Sequence, residues 1–554
     1  MLIMKRYIFI AALAAGVMSF SSCQDELDVE QHGAVSANSF YSNDAECLEG
    51  LAALYTTFNS QTSDYNNWYT GEQHFGFAIS DDCYTGGGAR GNDSGWEEIN
   101  ELRYTASNAK IANLFKIYYT TIYRANLLVS HVQGSTPTQQ RIIAEAKTIR
   151  AFCYLKLTSH FGSVPLIVEE ITDGKYAKPV ASPSEIYAQI EQDLTEAINS
   201  GAMLEKSSVN DKMVNVTKQT AQGLLGKAYV YESTFTGANK WSDARTALEA
   251  VINSGKYALV TNDFDDQFHK AGEFSTESMF ENNRVFDANN LSYIYSVQRL
   301  GWRTEMFNIA ELDAAQASGA INCSNESYGF FNPSQELYEA FVEMEGEDGW
   351  RLNETLKTYK QLVQIPLRIQ EGKTIYGNAG YFCTKVPSRA EERVVVHKIA
   401  QNIVFFRYAD VLLLAAEAEL PANGGNQAKC DEYLNQIKSR AREDASKMRG
   451  NYTLTDVQKE RRLELCCEGS RFPDLVRWGI IADAYKDKGK RIPSLHGLYD
   501  HSDNNNTLEQ NVNGYNISYT ETASQGFQPK FAQLPLPQGE IDVNEFVEQA
   551  ELWK

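Results

Sequence analysis

Three glutamates set four residues apart, Glu460, Glu464 and Glu468, stand in the run ERRLELCCEGSRFPDLVRWG over residues 460–479. On a helix that spacing lines them up on one face. Acids in a row among arginines can do two kinds of chemistry. They can grip a phosphate or a sugar, or they can form a buried ion-pair cluster that pins helices in register. The second is the commoner use of such a row. Like charges in a row repel, so the row needs cations. Arg461, Arg462, Arg471 and Arg477 are local, and Arg407 and Arg440 could come from elsewhere in the chain. Leu463, Cys466 and Cys467 form an apolar face beside the acids. Gly469 is placed as a helix stop, and Pro473 is expected to prevent quick resumption, leaving Asp474–Trp478 as a short amphipathic turn.

Other acids invite an enzymatic reading. Asp81-Asp82 and Glu391-Glu392 are adjacent pairs, and glycoside hydrolysis needs two carboxylates flanking the bond. Adjacent residues point apart, however, and among 72 acids such pairs arise by chance. There is no G-x-S-x-G elbow, no Cys–His signature and no H-E-x-x-H, so the chain reads as a non-enzyme. Nine cysteines show no C-x-x-C pair; those after Cys23 mostly sit among apolar residues and read as buried free thiols. A bond between adjacent Cys466 and Cys467 would strain a helix. A net charge of −21 repels nucleic-acid backbones. No cofactor is called for. So acidic a chain has room for a structural calcium ion, but it carries no D-x-D-x-D-G loop.

The elements that must position these residues begin after an address. Lys5 and Arg6 precede a short apolar run, Ile8–Phe20, and then Ser21-Ser22-Cys23. This is similar to a bacterial lipoprotein signal over residues 1–22, with Cys23 as the lipidated residue and residues 23–38 as a tether. No later stretch is long and apolar enough to span a bilayer. Asn43 with Glu46 makes a capping-box start for a helix running to about Phe58. A long loop over 59–106 follows, and helices are expected again at Ala109–His131 and Thr138–Phe161. A repeat follows. First helices show a small residue and a partner three on: Ala151 and Tyr154, Gly226 and Tyr229, Ala415 and Ala418. Second helices show Ile190–Leu194–Ala197, Ala244–Leu248–Val251 and Cys430–Leu434–Ile437. The four-then-three spacing puts each triple on one face, as in tetratricopeptide helix pairs. The expected fold is mainly α, a tetratricopeptide-like scaffold coiling as a right-handed superhelix. An irregular, aromatic-rich insertion with short strands occupies 256–401 between an N-terminal region, 39–255, and a C-terminal region, 402–554. Ile403–Glu417 reads as a helix.

Several motifs carry a family resemblance. The run at 460–479, the pattern Tyr119-x-x-Ile122-x-x-Ala125-Asn126, and Arg150-Ala151-x-x-Tyr154-Leu155 with Phe161-Gly162 and Val164-Pro165-Leu166 all take part. So do Arg407–Leu413, reading RYADVLL, and Leu534-Pro535-Leu536-Pro537 with Glu540-Ile541. Together they resemble the signatures of the SusD/RagB family of surface lipoproteins of Bacteroidota, in the family's order. Cys466 and Cys467 depart from the small or aromatic residues expected there. The resemblance implies an outer-membrane, cell-surface location, supported by the acidic Gln24-Asp25-Glu26 tag after the cysteine. It also implies a carbohydrate ligand and a SusC-like TonB-dependent transporter as partner, with the protein serving as a lid.

The binding chemistry can be read from residue types. A Trp or Tyr offers a flat face to the C–H face of a sugar, and Asp, Asn or Arg bond its hydroxyls. The loop 59–106 and the insertion hold that mixture. Candidate stacking residues are Trp68, Tyr69, Trp96, Tyr293, Trp302 and Tyr328; candidate polar partners are Asp82 and Asn92. The alternatives are a peptide ligand, as for the RagB branch, and a scaffold that binds only protein.

Overall fold

A computed structural model describes residues 40–63, 72–172, 174–283, 302–323, 325, 327–387, 389–395, 398–399, 401–443, 448–497 and 515–554. Its frame is a succession of antiparallel helix pairs. Helix α1 (Asp44–Ser63) lies against α2 (Ala109–His131), and α2 against α3 (Pro137–Phe161). Helix α3 packs on α4 (Pro183–Asn199), α4 on α5 (Lys218–Phe235), and α5 on α6 (Trp241–Ser254). Across the insertion, α6 meets α7 (Tyr408–Ala418), which packs on α8 (Gln427–Arg440) and α9 (Leu454–Glu464). A short α10 (Arg471–Arg477) follows.

Local chemistry sets the helix starts. Asn43 Oδ1 accepts from the amides of Ala45 and Glu46. Asn108 caps α2, while Ser182 with Glu185 closes a capping box on α4, with Pro183 in its first turn. The repeat faces are where the spacing placed them. Ala151, Tyr154, Ile190, Leu194, Ala197, Ala244, Leu248, Val251, Ala415, Ala418, Cys430, Leu434 and Ile437 are all buried. Gly226 is the reason α5 and α6 approach so closely, since a Cβ there would sit 2.4 Å from Leu248 Cγ. An additional pair, α1 with α2, was not anticipated. Its two helices are separated by residues 64–108, which hides the pairing from any short-range pattern.

Three expectations need correction. Ile403–Glu417 is not one helix: Val404–Arg407 is a strand pairing antiparallel with Ser278–Glu281, and α7 starts at Tyr408. The stretch 59–106 is not a plain loop. It contains helices Glu72–Ile79 and Ser94–Asn100 and the strand Cys83–Gly86, which pairs with Phe330–Pro333. Pro473 does not prevent resumption; it sits in the first turn of α10, where proline is tolerated. The insertion carries short strands as expected, such as Tyr381–Cys383 against Leu356–Thr358, and also helices, including Gln335–Glu345.

Candidate functional site

The row of glutamates is a buried ion-pair cluster. Arg351 Nη1 donates to Glu460 and to Glu464, each at 2.7 Å, and its Nε to Glu345 at 2.7 Å. Lys438 bonds Glu460 at 2.9 Å and Glu443 at 3.0 Å. Arg407 reaches Glu464 at 2.6 Å, Glu468 at 2.7 Å and Glu277 at 2.5 Å; Arg440 also pairs with Glu464, and Lys385 with Glu468. Arg407 and Arg440 were expected. The local arginines turn elsewhere: Arg461 to Asp410 and Asp474, Arg477 to Glu417, Arg462 to Asp82 and Arg471 to Asp81. Burial pushes Glu464 up, but the guanidiniums of Arg440, Arg407 and Arg351 outweigh it and hold the carboxyl well below its usual range. Every acid of the row has fixed cations, so this cluster locks α7, α8, α9 and the insertion together.

Through the arginines of this run the loop region is tied to the scaffold. Asp82 is buried and bonded by Arg462 Nε at 2.8 Å, so it anchors the loop and is not open to a ligand. Gly76 stacks against the turn after α9, where a Cβ would lie 2.4 Å from the Gly469 Cα. Beyond the strand, the Gly87 amide donates to Gly329 O at 2.9 Å, and Arg303 Nη1 donates to Gly88 O. Exposed Asn92 accepts from the Gly88 amide at 2.7 Å. Tyr328, half-buried, adjoins Gly329. Residues 86–88 therefore meet Arg303, Gly329 and Phe330, which brings the loop carrying Asn92 against the segment carrying Tyr328.

Two candidate platforms are core. Trp96 is fully buried among His74, Phe75 and Phe331, with the Lys110 ammonium 5.0 Å from its ring. Trp302 is buried against Phe307 and Phe382, and its Nε1 donates to Cys383 O at 2.7 Å. Neither has a face to offer a sugar, because each ring is needed to fill space between strands and helices brought in from distant sequence. Cys23, Trp68, Tyr69 and Tyr293 lie outside the described residues. Sequence reasoning missed the exposed rings of Tyr123 (51%), Tyr176 (71%) and Tyr519 (43%), which no spacing marks out.

Two hollows deserve description. A cleft of about 670 Å³ beside α2 is lined by Tyr119, Tyr123, Tyr176, Lys116, Glu169 and Glu540. A polar cavity of about 310 Å³ in the insertion is lined by Asp263, Asp265, Glu354, Lys357, Arg389 and Trp302. Asp263, Asp265 and Glu354 offer carboxylate oxygens within 4.8 Å of one another, a donor set suited to a hard cation. Arg389 already bonds Asp265 at 2.7 Å. Burial, with a hydrogen bond to Asp263 that favours the protonated carboxyl, pushes Asp265 up to about 8 despite that arginine.

Comparison with known proteins places this architecture. Residues 293–553 match the model of the SusD family, and residues 28–230 match a model described as starch-binding, associating with the outer membrane. A SusD-like protein of Formosa agariphila is 25% identical over 500 residues, covering 85% of this chain and 90% of that protein. A SusD-like protein of Bacteroides ovatus is 25% identical over 506 residues, covering 86% and 83%. Among solved structures, a laminarin-binding SusD-like protein superposes with a TM-score of 0.70 at 25% identity, over 92% of this chain and 100% of that one. Surface glycan-binding protein A of Bacteroides thetaiotaomicron, solved with laminarihexaose, gives a TM-score of 0.67 at 20% identity, over 91% and 99%. Among the described residues no helix is long and apolar enough to cross a membrane.

Proposed function

Because the chain belongs to the SusD/RagB family, we propose that it is a non-catalytic surface lipoprotein that captures an oligo- or polysaccharide and passes it to a SusC-like TonB-dependent transporter. The observation that carries this reading is the near-complete match to a laminarin-binding SusD-like protein. Two features of the chain support it. The acid-rich signature is wholly consumed in structural ion pairs, which leaves it no part in catalysis. The loop carrying exposed Asn92 is bonded to the segment carrying Tyr328, an arrangement suited to a weak, exposed sugar site. Lipidation at Cys23 would tether the protein and keep captured ligand near the transporter, so modest affinity suffices.

The test is calorimetry of the lipid-free chain, residues 24–554, against laminarin, starch, xylan, mannan and a casein digest. Binding to one glycan class, weakened by Trp68→Ala, Tyr293→Ala or Asn92→Ala, supports the reading. Binding to the digest alone overturns it in favour of peptide capture.

A further inference from the structure

Four cysteines far apart in sequence meet behind the signature turn. Cys383 ends the strand Tyr381–Cys383, Cys83 begins the strand Cys83–Gly86, and Cys466 and Cys467 follow α9. All four are buried. Cys383 Sγ lies 3.9 Å from Cys467 Sγ, and the Cys83 thiol is within hydrogen-bonding reach of Cys467. Cys466 donates to Leu463 O at 3.2 Å. Cys467 has φ +66°, a left-handed conformation that a non-glycine residue adopts at a cost, and that conformation presents its thiol to the other two. Among the described residues the only trio close enough to share a metal ion is Asp263, Asp265 and Glu354, so the thiols do not form a metal cage. Of the four, Cys383 alone lines the 310 Å³ cavity, which gives a small reagent a way in.

We propose that Cys383 and Cys467 are a disulfide-forming pair, with Cys83 the neighbouring thiol placed to exchange with it, and that the bond staples the insertion to the signature turn. Closure requires the two sulfurs to move from 3.9 Å to about 2.05 Å, a shift that side-chain rotation and small backbone adjustments can supply. The oxidant is a low-molecular-weight disulfide. The Cys383 thiolate attacks one of its sulfurs and expels a thiolate, forming a mixed disulfide in the cavity. The Cys467 thiol then gives up its proton and attacks Cys383 Sγ, expelling the second thiolate. Two electrons pass from the protein to the reagent, and the two protons go to the two departing thiolates. The surroundings suit this order. The hydrogen bond from Cys467 lowers the Cys383 thiol below its ordinary value against the pull of burial, and the Lys385 ammonium lowers it further. The Cys467 thiol is pushed well up by its bonds to Cys383, Cys466 and Cys83.

The experiment treats the full chain in detergent with 2-hydroxyethyl disulfide, alkylates the remaining thiols, and maps digested peptides by mass spectrometry. The expected result is a Cys383–Cys467 linked peptide, reversed by dithiothreitol, with an upward shift in Tm of the oxidised protein. The link is retained in Cys466→Ser. It is lost in Cys383→Ser and in Cys467→Gly, the latter chosen because glycine fits the left-handed backbone and preserves the turn. Full alkylation of both cysteines after oxidant treatment overturns the proposal, as does a bond formed instead between Cys83 and Cys467 or between Cys466 and Cys467.

Discussion

Two clusters of acids draw on the insertion, and they differ in how many cations they meet. Around α9, Glu460, Glu464 and Glu468 share Arg351, Arg407, Arg440, Lys438 and Lys385. In the polar cavity, Arg389 is the one cation paired with Asp265 among the described residues, and it also serves Asp266. Burial is common to both. In the first cluster the cations win and Glu464 stays ionised; in the second, burial and Asp263 win and Asp265 holds its proton near neutral pH. Burial of acids therefore says little alone; the count of cations within bonding distance decides whether a cluster is a fixed clamp or a set of groups open to change.

The largest effect should come from breaking the clamp. Arg351→Met takes the cation shared by Glu345, Glu460 and Glu464 out of a buried cluster and should cost about 3–5 kcal/mol, read as a lower denaturation midpoint in urea. A midpoint within error of the wild type would end the description of this cluster as a mutually dependent network.

Relieving the other cluster should have a smaller effect that depends on pH. An acid whose folded pKa is raised binds more protons folded than unfolded. Asp265 therefore takes away stability as pH climbs from its ordinary 3.8 to about 8. Asp265→Asn should accordingly gain in Tm relative to the wild type at about pH 8.5 and lose that advantage at about pH 5, followed by differential scanning fluorimetry. The clamp behaves with the opposite sign. The stability tied to Glu464 is present above the ordinary carboxylate range and fades as pH falls toward its depressed value, so acid should unfold the protein through this cluster.

The smallest effect belongs to the neighbour of Glu460. Lys459 pairs with Glu343 at 2.6 Å, but both side chains are exposed. Lys459→Ala should change stability by less than about 1 kcal/mol, with the same urea titration as the check. Equal losses for Lys459→Ala and Arg351→Met would mean that burial is not what separates the two pairs.

The scaffold was largely legible because its information is local. The spacing within each helix pair and the boundaries Ala109–His131 follow from residues a few positions apart. The cations of the glutamate row were half legible. Arg407 lies in the run RYADVLL and Arg440 ends a repeat helix, whereas Arg351 sits in the insertion with no spacing that ties it to Glu460. The candidate platforms failed at Trp96 and Trp302 for a related reason. An isolated Trp has the same sequence signature whether its face is open or filled by Phe331 or Phe382, residues far along the chain. Val404–Arg407 was read as helix because its apolar residues fit either period, and its strand partner, Ser278–Glu281, lies across the insertion.

The packing of α6 on α7 across residues 255–407 has a consequence for the order in which the molecule can assemble. A chain delivered from its N-terminus completes α1 to α6 early, but the side of α6 that meets α7 has no cover until α7 arrives. That wait is a window of exposure on an otherwise finished unit. Closure of the last helix pairs is then a late, long-range docking step. Such steps carry a high loop-closure entropy and fold slowly, so the signature helices at the end of the chain set the pace for the whole.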